Sequence, residues 1–136
     1  MKPIKLNIKT KSASYPIIIG SNIIKNLVTY LNKNSINFNK CLLVIDKKVP
    51  NKMISEITRS LGRKKIFKFV YFANEKNKNL SYVNKILQIL LSENFSRKDC
   101  LIAIGGGITG DVGGFAASLY KRGLQFINLP TTLLSQ

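Results

Sequence analysis

The chain has 136 residues, with 22 Lys and Arg against 6 Asp and Glu, no histidine, and a formal net charge of +16. This length suits one domain or part of one, and a hydrophobic content of 45% argues against wholesale disorder. Without histidine the chain cannot by itself supply a histidine-ligated metal, a Ser–His or Cys–His nucleophile, or an imidazole base.

The positive charge is spread thinly along the sequence. Residues 1–104 have a balance of +15 and residues 105–136 a balance of +1. Eighteen of the basic residues are Lys, scattered among 14 Asn and 18 Ile, which indicates a compositional bias at solvated positions. A nucleic-acid-binding module, the alternative, would need Arg and Lys clustered with aromatic residues on one face. We therefore expect no nucleic-acid partner.

Targeting signals are not apparent in the sequence. Residues 1–9 have no continuous apolar segment of the kind found in a signal peptide, and no apolar run approaches the ~18 residues needed to cross a bilayer. Cys41 and Cys100 both lie in apolar runs and are predicted to be buried, reduced side chains. We expect a soluble, cytoplasmic protein with no membrane partner.

The first part of the chain predicts a β-hairpin followed by a helix. Apolar and polar residues alternate over 4–9, which is the period of a half-buried strand. A second strand signal covers Tyr15–Ile19, where Pro16 lacks a ladder donor and favours an edge position. Ser21 offers an N-cap oxygen to a helix whose apolar stripe extends from Ile23 to Leu31.

The rest of the chain alternates strands with helices. An apolar run, Cys41–Ile45, ends in Asp46, as expected of a strand covered on both faces. Beyond it we predict a helix between Pro50 and Gly62, a strand over 66–72, a helix over 80–91, and strands over 101–104 and 126–129. This order predicts a Rossmann-like α/β fold, a parallel sheet with helices on both faces, entered through an amino-terminal hairpin. We assign residues 1–136 to one domain, incomplete at its carboxyl end.

Seven of the nine glycines lie between residues 105 and 123. Gly105, Gly107 and Gly110 satisfy G-x-G-x-x-G between a predicted strand and a helix-compatible stretch, a pattern that lets backbone N–H groups approach a pyrophosphate. The acid that usually follows about 20 residues later is missing, and Asp111 lies inside the motif instead. Tight turns and close packing are the alternative explanation of these glycines.

Three segments resemble the 3-dehydroquinate synthase family: Gly105–Asp111, Gly114–Gly123 and Leu129–Gln136. The resemblance is specific across residues 101–136, and weaker but in register over the rest. It implies an amino-terminal NAD-binding domain of a sugar phosphate cyclase. It also implies a carboxy-terminal helical domain, absent from this chain, which would supply the ligands of a Zn or Co ion.

The resemblance also implies which residues bind ligands. Asp46 would contact the adenosine ribose and Asp111 the nicotinamide end, while Arg122 would bind the anionic substrate. The full set of NAD contacts would be Asp46, Glu75, Lys78, Gly105, Gly106, Gly107, Gly110, Asp111, Thr131 and Thr132. Simpler explanations remain: a turn cap for Asp46, a solvated loop for Glu75 and Lys78, and a helix-end charge for Arg122. Asn74 replaces the glycine that the family has before the Glu, which puts the geometry of that loop in question.

By the same resemblance, the full-length protein would be a lyase of the shikimate pathway and of aromatic amino acid biosynthesis. It would convert 3-deoxy-D-arabino-heptulosonate 7-phosphate, a phosphorylated sugar acid, into 3-dehydroquinate and phosphate, with transient oxidation by NAD. We expect a homodimer at full length and no turnover by this chain alone. The alternatives are another sugar phosphate cyclase, an NAD(P)-linked polyol dehydrogenase, a basic nucleic-acid-binding module, and a non-catalytic NAD-binding fragment.

Overall fold

A computed structural model describes residues 3–20 and 22–131. The chain forms two compact units. The hairpin unit comprises residues 1–37 and 55–62, and the sheet unit comprises residues 38–54 and 63–136. Within the described residues, no helix has the length and apolar composition needed to cross a membrane.

The hairpin unit begins with two antiparallel strands, β1 (Ile4–Lys9) and β2 (Ser14–Ile19), as predicted. The alternation of apolar and polar residues predicts a half-buried apolar face. That face is less buried than predicted: the paired Ile4 and Ile19 are 53% and 49% exposed.

The following helix is shorter than predicted. Residues Ile24–Asn26 form a 3-10 turn and the α-helix α1 covers only Leu27–Lys33, because Asn26 leaves helical geometry at φ −116°. The predicted cap, Ser21, lies outside the described residues. Helix α2 (Asn51–Leu61) follows Pro50 and is succeeded by Gly62 at φ +65°, as the sequence predicts.

The sheet unit is built on four parallel strands in the order β4-β3-β5-β6. Strand β3 covers Lys40–Asp46, β4 Lys65–Tyr71, β5 Cys100–Gly105 and β6 Gln125–Pro130. Helix α3 (Leu80–Ser92) follows β4, and helix α4 (Gly107–Leu119) connects β5 to β6. The predicted α/β alternation with a parallel sheet is therefore confirmed.

The central strands β3 and β5 are buried on both faces. On one face Leu42 and Leu101 pack with Ile86 of α3 and Ala116 of α4. On the opposite face Leu43 and Ile102 are also inaccessible to solvent, together with their neighbours along the two strands. An almost continuous apolar run is the sequence expected of such strands.

The two cysteines are adjacent in the sheet and fully buried. Cys41 of β3 is in register with Cys100 of β5, and both thiols are free. Burial raises the pKa of the Cys41 thiol to about 11, so the neutral thiol persists at neutral pH. The prediction of buried cysteines is confirmed, and these residues behave as small apolar side chains.

Small residues allow α4 to lie close to the sheet. A Cβ on Gly113 would be 3.2 Å from Cβ of Ala103 and 3.3 Å from Cδ2 of Leu101. A Cβ on Gly110 would be 3.2 Å from the amide atoms of Asn128 on β6. Close packing therefore explains these two glycines.

Tyr120, which follows α4, stabilises this core through buried hydrogen bonds. Its buried hydroxyl donates to the carbonyl oxygens of Phe95 at 2.7 Å and Leu90 at 3.0 Å. Tyr120→Phe should lower the free energy of unfolding by about 1–2 kcal/mol, because buried carbonyls lose a donor. Urea unfolding measures this, with Tyr15→Phe as control. Tyr15 is 49% exposed, so equal losses in both variants would contradict the assignment.

Candidate functional site

The glycine motif forms a strand–turn–helix at the carboxyl edge of the sheet. Gly105 ends β5, Gly106 is the N-cap of α4, and Gly107 is the first helical residue. The first-turn N–H groups of a helix have no acceptor within it, and the macrodipole makes this end partly positive. The turn can therefore receive an anion.

Gly107 is the motif glycine that packing does not explain. A Cβ on Gly105 would be 2.7 Å from Oγ1 of Thr109 and 3.0 Å from Cβ of Asp46, so Gly105 is needed for close packing. No atom of the described residues lies within 4 Å of a Cβ on Gly107, and Gly107 does not have a positive φ. Among the residues that the structure describes, nothing fills the space at Gly107, so a ligand could approach the first turn of α4 there.

Asp46 ends β3, beside the glycine turn, and its side chain is fixed. It is 8% exposed, and its Oδ1 accepts the backbone N–H groups of Lys48 at 3.1 Å and Ala73 at 3.4 Å. These bonds confirm that Asp46 caps the turn. Both use Oδ1, so Oδ2 of the same carboxylate can accept hydrogen bonds from a ligand at this edge.

Two residues that no sequence motif indicates, Tyr71 and Thr109, also lie at the site. Tyr71 ends β4 in register with Asp46, and its hydroxyl lies 3.4 Å from Oγ1 of the fully buried Thr109 in the first turn of α4. Burial raises the pKa of Tyr71. Tyr71 therefore does more than pack against its neighbours, since its hydroxyl also links β4 to α4.

The loop between β4 and α3 has an ordered structure. Asn74 accepts the N–H of Asn77 at 2.9 Å and begins a 3-10 turn, Glu75–Asn77. Asn79 caps α3 by accepting the N–H of Tyr82 at 3.2 Å. Asn74 has extended backbone angles, φ −151° and ψ 174°, which any residue adopts. The loop therefore does not need the glycine that the resemblance places there.

Lys78 of this loop pairs with Asp111 of α4. Its Nζ lies 3.0 Å from Oδ2 of Asp111, and this contact, with a smaller effect of Glu75, raises the pKa of Lys78. The pair lies at a cleft of about 350 Å³ that is otherwise mostly apolar. Its lining residues are Lys78, Asn79, Leu80, Val83, Asp111, Val112 and Phe115.

The remaining predicted site residues are Thr131, Thr132 and Arg122. The N–H of Thr131 donates to the carbonyl of Gly105 at 2.8 Å, which puts Thr131 beside the glycine turn. Thr132 and the side chain of Arg122 lie outside the described residues. The backbone of Arg122 follows the 13-residue helix α4, roughly 20 Å from Gly107 at 1.5 Å per residue.

Among the described residues no group of three or more His, Cys, Asp and Glu could hold a metal ion.

A parallel sheet with a glycine-rich strand–turn–helix at its carboxyl edge defines the class of Rossmann-like α/β domains. The sequence model described as "3-dehydroquinate synthase N-terminal" matches residues 68–136, which is half of the chain. The chain belongs to the 3-dehydroquinate synthase family.

Comparisons with individual proteins agree with this membership. The chain is 56% identical over 133 residues to the 3-dehydroquinate synthase of Pelagibacter ubique, covering 98% of this chain and 36% of that relative. The structure is similar to a crystal structure of 2-deoxy-scyllo-inosose synthase complexed with carbaglucose-6-phosphate, NAD+ and Co2+. That match has a TM-score of 0.86 and 23% identity, and covers 97% of this chain and 36% of the other.

A third similar protein is 2-epi-5-epi-valiolone synthase from Streptomyces hygroscopicus, with NAD+ and Zn2+ bound. It has a TM-score of 0.73 and 25% identity, and the match covers 93% of this chain and 35% of the other. The chain thus spans about a third of the length of the proteins that it matches.

Proposed function

We propose that this chain is the NAD-binding part of a 3-dehydroquinate synthase, with residues 1–136 forming one dinucleotide-binding domain. The whole enzyme would be a phosphate-eliminating lyase acting on 3-deoxy-D-arabino-heptulosonate 7-phosphate. The 56% identity to the Pelagibacter enzyme favours this reaction over that of 2-deoxy-scyllo-inosose synthase, to which the identity is 23%.

The observation that carries the proposal is the open first turn of α4 beside the fixed carboxylate of Asp46. The space that the described residues leave at Gly107 suits a pyrophosphate, and Oδ2 of Asp46 suits a ribose hydroxyl donor. Thr131 borders the same turn through its bond to Gly105. The residues present therefore fit an NAD molecule lying across the carboxyl edge of the sheet.

The role of these residues would be to bind and orient the cofactor. When bound, NAD supplies a hydride acceptor, and a transient ketone would acidify the adjacent C–H for loss of phosphate. The Zn or Co ion proposed for the whole enzyme has no ligand cluster among the described residues, and we assign it none in this chain. The NAD+ with Co2+ and the NAD+ with Zn2+ in the two similar cyclases support these cofactors.

Family membership also supports our proposals for the substrate, the oligomeric state and the location. We assign Arg122 to the anionic group of a phosphorylated sugar acid, since a guanidinium suits a carboxylate or a phosphate. The whole enzyme would be a cytoplasmic homodimer.

Calorimetric titration of the purified 136-residue chain with NAD tests the proposal. We expect a single NAD site and no turnover of the sugar phosphate by this chain alone. Absence of NAD binding would overturn the proposed function, and turnover would overturn the restriction to cofactor binding. Steeply salt-dependent binding of DNA, measured in parallel, would instead support the basic nucleic-acid module.

A further inference from the structure

The first turn of helix α4 lacks the local features that usually hold the start of a helix in place. Its N-cap is Gly106, which has no side chain to accept the first-turn N–H groups, and residues 107–109 carry no negative charge. Gly106 and Gly107 also give the backbone more conformational freedom than other residues would. A contact from elsewhere in the fold must therefore fix this turn.

A buried pair of hydroxyl groups connects the turn to the sheet. Thr109, the third residue of α4, is fully buried, and its Oγ1 accepts a hydrogen bond from the hydroxyl of Tyr71 at 3.4 Å. The same Oγ1 lies against the end of β5, since a Cβ on Gly105 would be only 2.7 Å from it. A displacement of the first turn would therefore break the hydrogen bond and disturb the packing at Gly105.

The side chain of Tyr71 is a fixed anchor for this hydrogen bond. It is 5% exposed, and its ring stacks on Phe69 at a centroid distance of 5.7 Å and packs against Tyr82 at 5.3 Å. The backbone of Tyr71 ends β4 in register with Asp46. The hydroxyl of Tyr71 therefore ties the first turn of α4 to a strand end beside Asp46.

We propose that Tyr71 is a positioning residue that holds the first turn of α4, through Thr109, in the orientation that receives the dinucleotide. This inference rests on the proposed function and adds to it a residue that acts from the buried side of the turn. A glycine-rich turn without a cap would otherwise have to be ordered during binding, and the entropy lost at that step would weaken affinity. The hydrogen bond from Tyr71 establishes this order before the ligand arrives.

Calorimetric titration of the 136-residue chain with NAD tests this role. Tyr71→Phe and Thr109→Val each remove one hydroxyl of the pair and should weaken NAD binding by roughly threefold to tenfold, the effect of one hydrogen bond. The double variant should bind about as weakly as either single variant, because all three lack the same bond. Thr109→Ser keeps the hydroxyl and should bind NAD normally, although the loss of a buried methyl group should lower its urea midpoint.

Hydrogen exchange gives a second measurement that does not depend on the ligand. The N–H of Gly110 donates to the carbonyl of Gly106 at 3.1 Å and closes the first turn. Relative to the N–H groups of β5, it should exchange roughly threefold to tenfold faster in Tyr71→Phe but no faster in Tyr120→Phe, because only the first variant releases the turn. An unchanged ratio in Tyr71→Phe would mean that its hydroxyl does not hold the turn.

Tyr120→Phe is the matched control, because it removes a buried tyrosine hydroxyl that lies beyond the opposite end of α4. It should lower the urea midpoint at least as much as Tyr71→Phe, but NAD affinity should change less than twofold. Normal NAD affinity of Tyr71→Phe, an equal loss with Tyr120→Phe, or equally weak binding by Thr109→Ser and Thr109→Val would overturn the inference and leave the proposed function intact. Failure of the unmodified chain to bind NAD would overturn both.

Discussion

Gly105→Ala is expected to lower the free energy of unfolding by about 1–3 kcal/mol, the usual cost of overpacking a buried site. The added Cβ would lie 2.7 Å from Oγ1 and 2.9 Å from Cβ of Thr109, and 3.0 Å from Cβ of Asp46. Thr109 is fully buried and Asp46 is 8% exposed, so neither can move into solvent. The first turn of α4 must shift instead, and NAD affinity should fall with it.

Urea unfolding and NAD titration of Gly105→Ala and Gly107→Ala separate packing from binding. Within residues 3–20 and 22–131, no atom lies within 4 Å of a Cβ on Gly107, so Gly107→Ala should be as stable as the unmodified chain or slightly more stable. It should nevertheless weaken NAD binding, because the methyl group occupies the approach to the first-turn N–H groups. An unchanged urea midpoint for Gly105→Ala would refute the packing argument. Normal NAD affinity of Gly107→Ala would show that this space is not the ligand site.

The element order could be predicted from the sequence because it depends on local periodicity. The apolar run before Asp46 and the glycines after residue 104 are local signals, and the structure places a strand and a strand–turn–helix there. The exposed face of the β-hairpin was not predictable, because alternation shows which side chains share a face but not whether anything covers it.

Two site contacts that the sequence did not indicate join segments that are distant in the sequence. Tyr71 reaches Thr109 because β4 pairs with β3, which brings the end of β4 beside Asp46. Lys78 meets Asp111 because the loop after β4 extends to the second turn of α4. Neither pairing has a spacing that a single sequence would reveal, because each depends on the order of the strands in the sheet.

Asp46→Asn should weaken NAD binding by roughly 10-fold to 100-fold, the loss expected when a ligand hydrogen bond to a carboxylate is removed. The amide oxygen can still accept the N–H groups of Lys48 and Ala73, so the turn should remain folded. The amide nitrogen would then replace Oδ2 and present a donor to the ribose hydroxyls. Asp46→Ala removes both the turn cap and the acceptor for the ligand. It should therefore also lower the free energy of unfolding, by about 1–3 kcal/mol.

Asp99→Asn is the matched control, because Asp99 is as buried as Asp46 but lies just before β5, at the opposite edge of the sheet. Its carboxylate accepts the N–H of Ser96 at 2.8 Å and lies 3.8 Å from Nζ of Lys40. Asp99→Asn should lower the urea midpoint without changing NAD affinity, since the charge that it removes is remote from the glycine turn. If Asp46→Asn and Asp99→Asn have the same small effect on NAD binding, Asp46 is only a turn cap. A selective loss with Asp46→Asn would mean that Oδ2 holds the ribose.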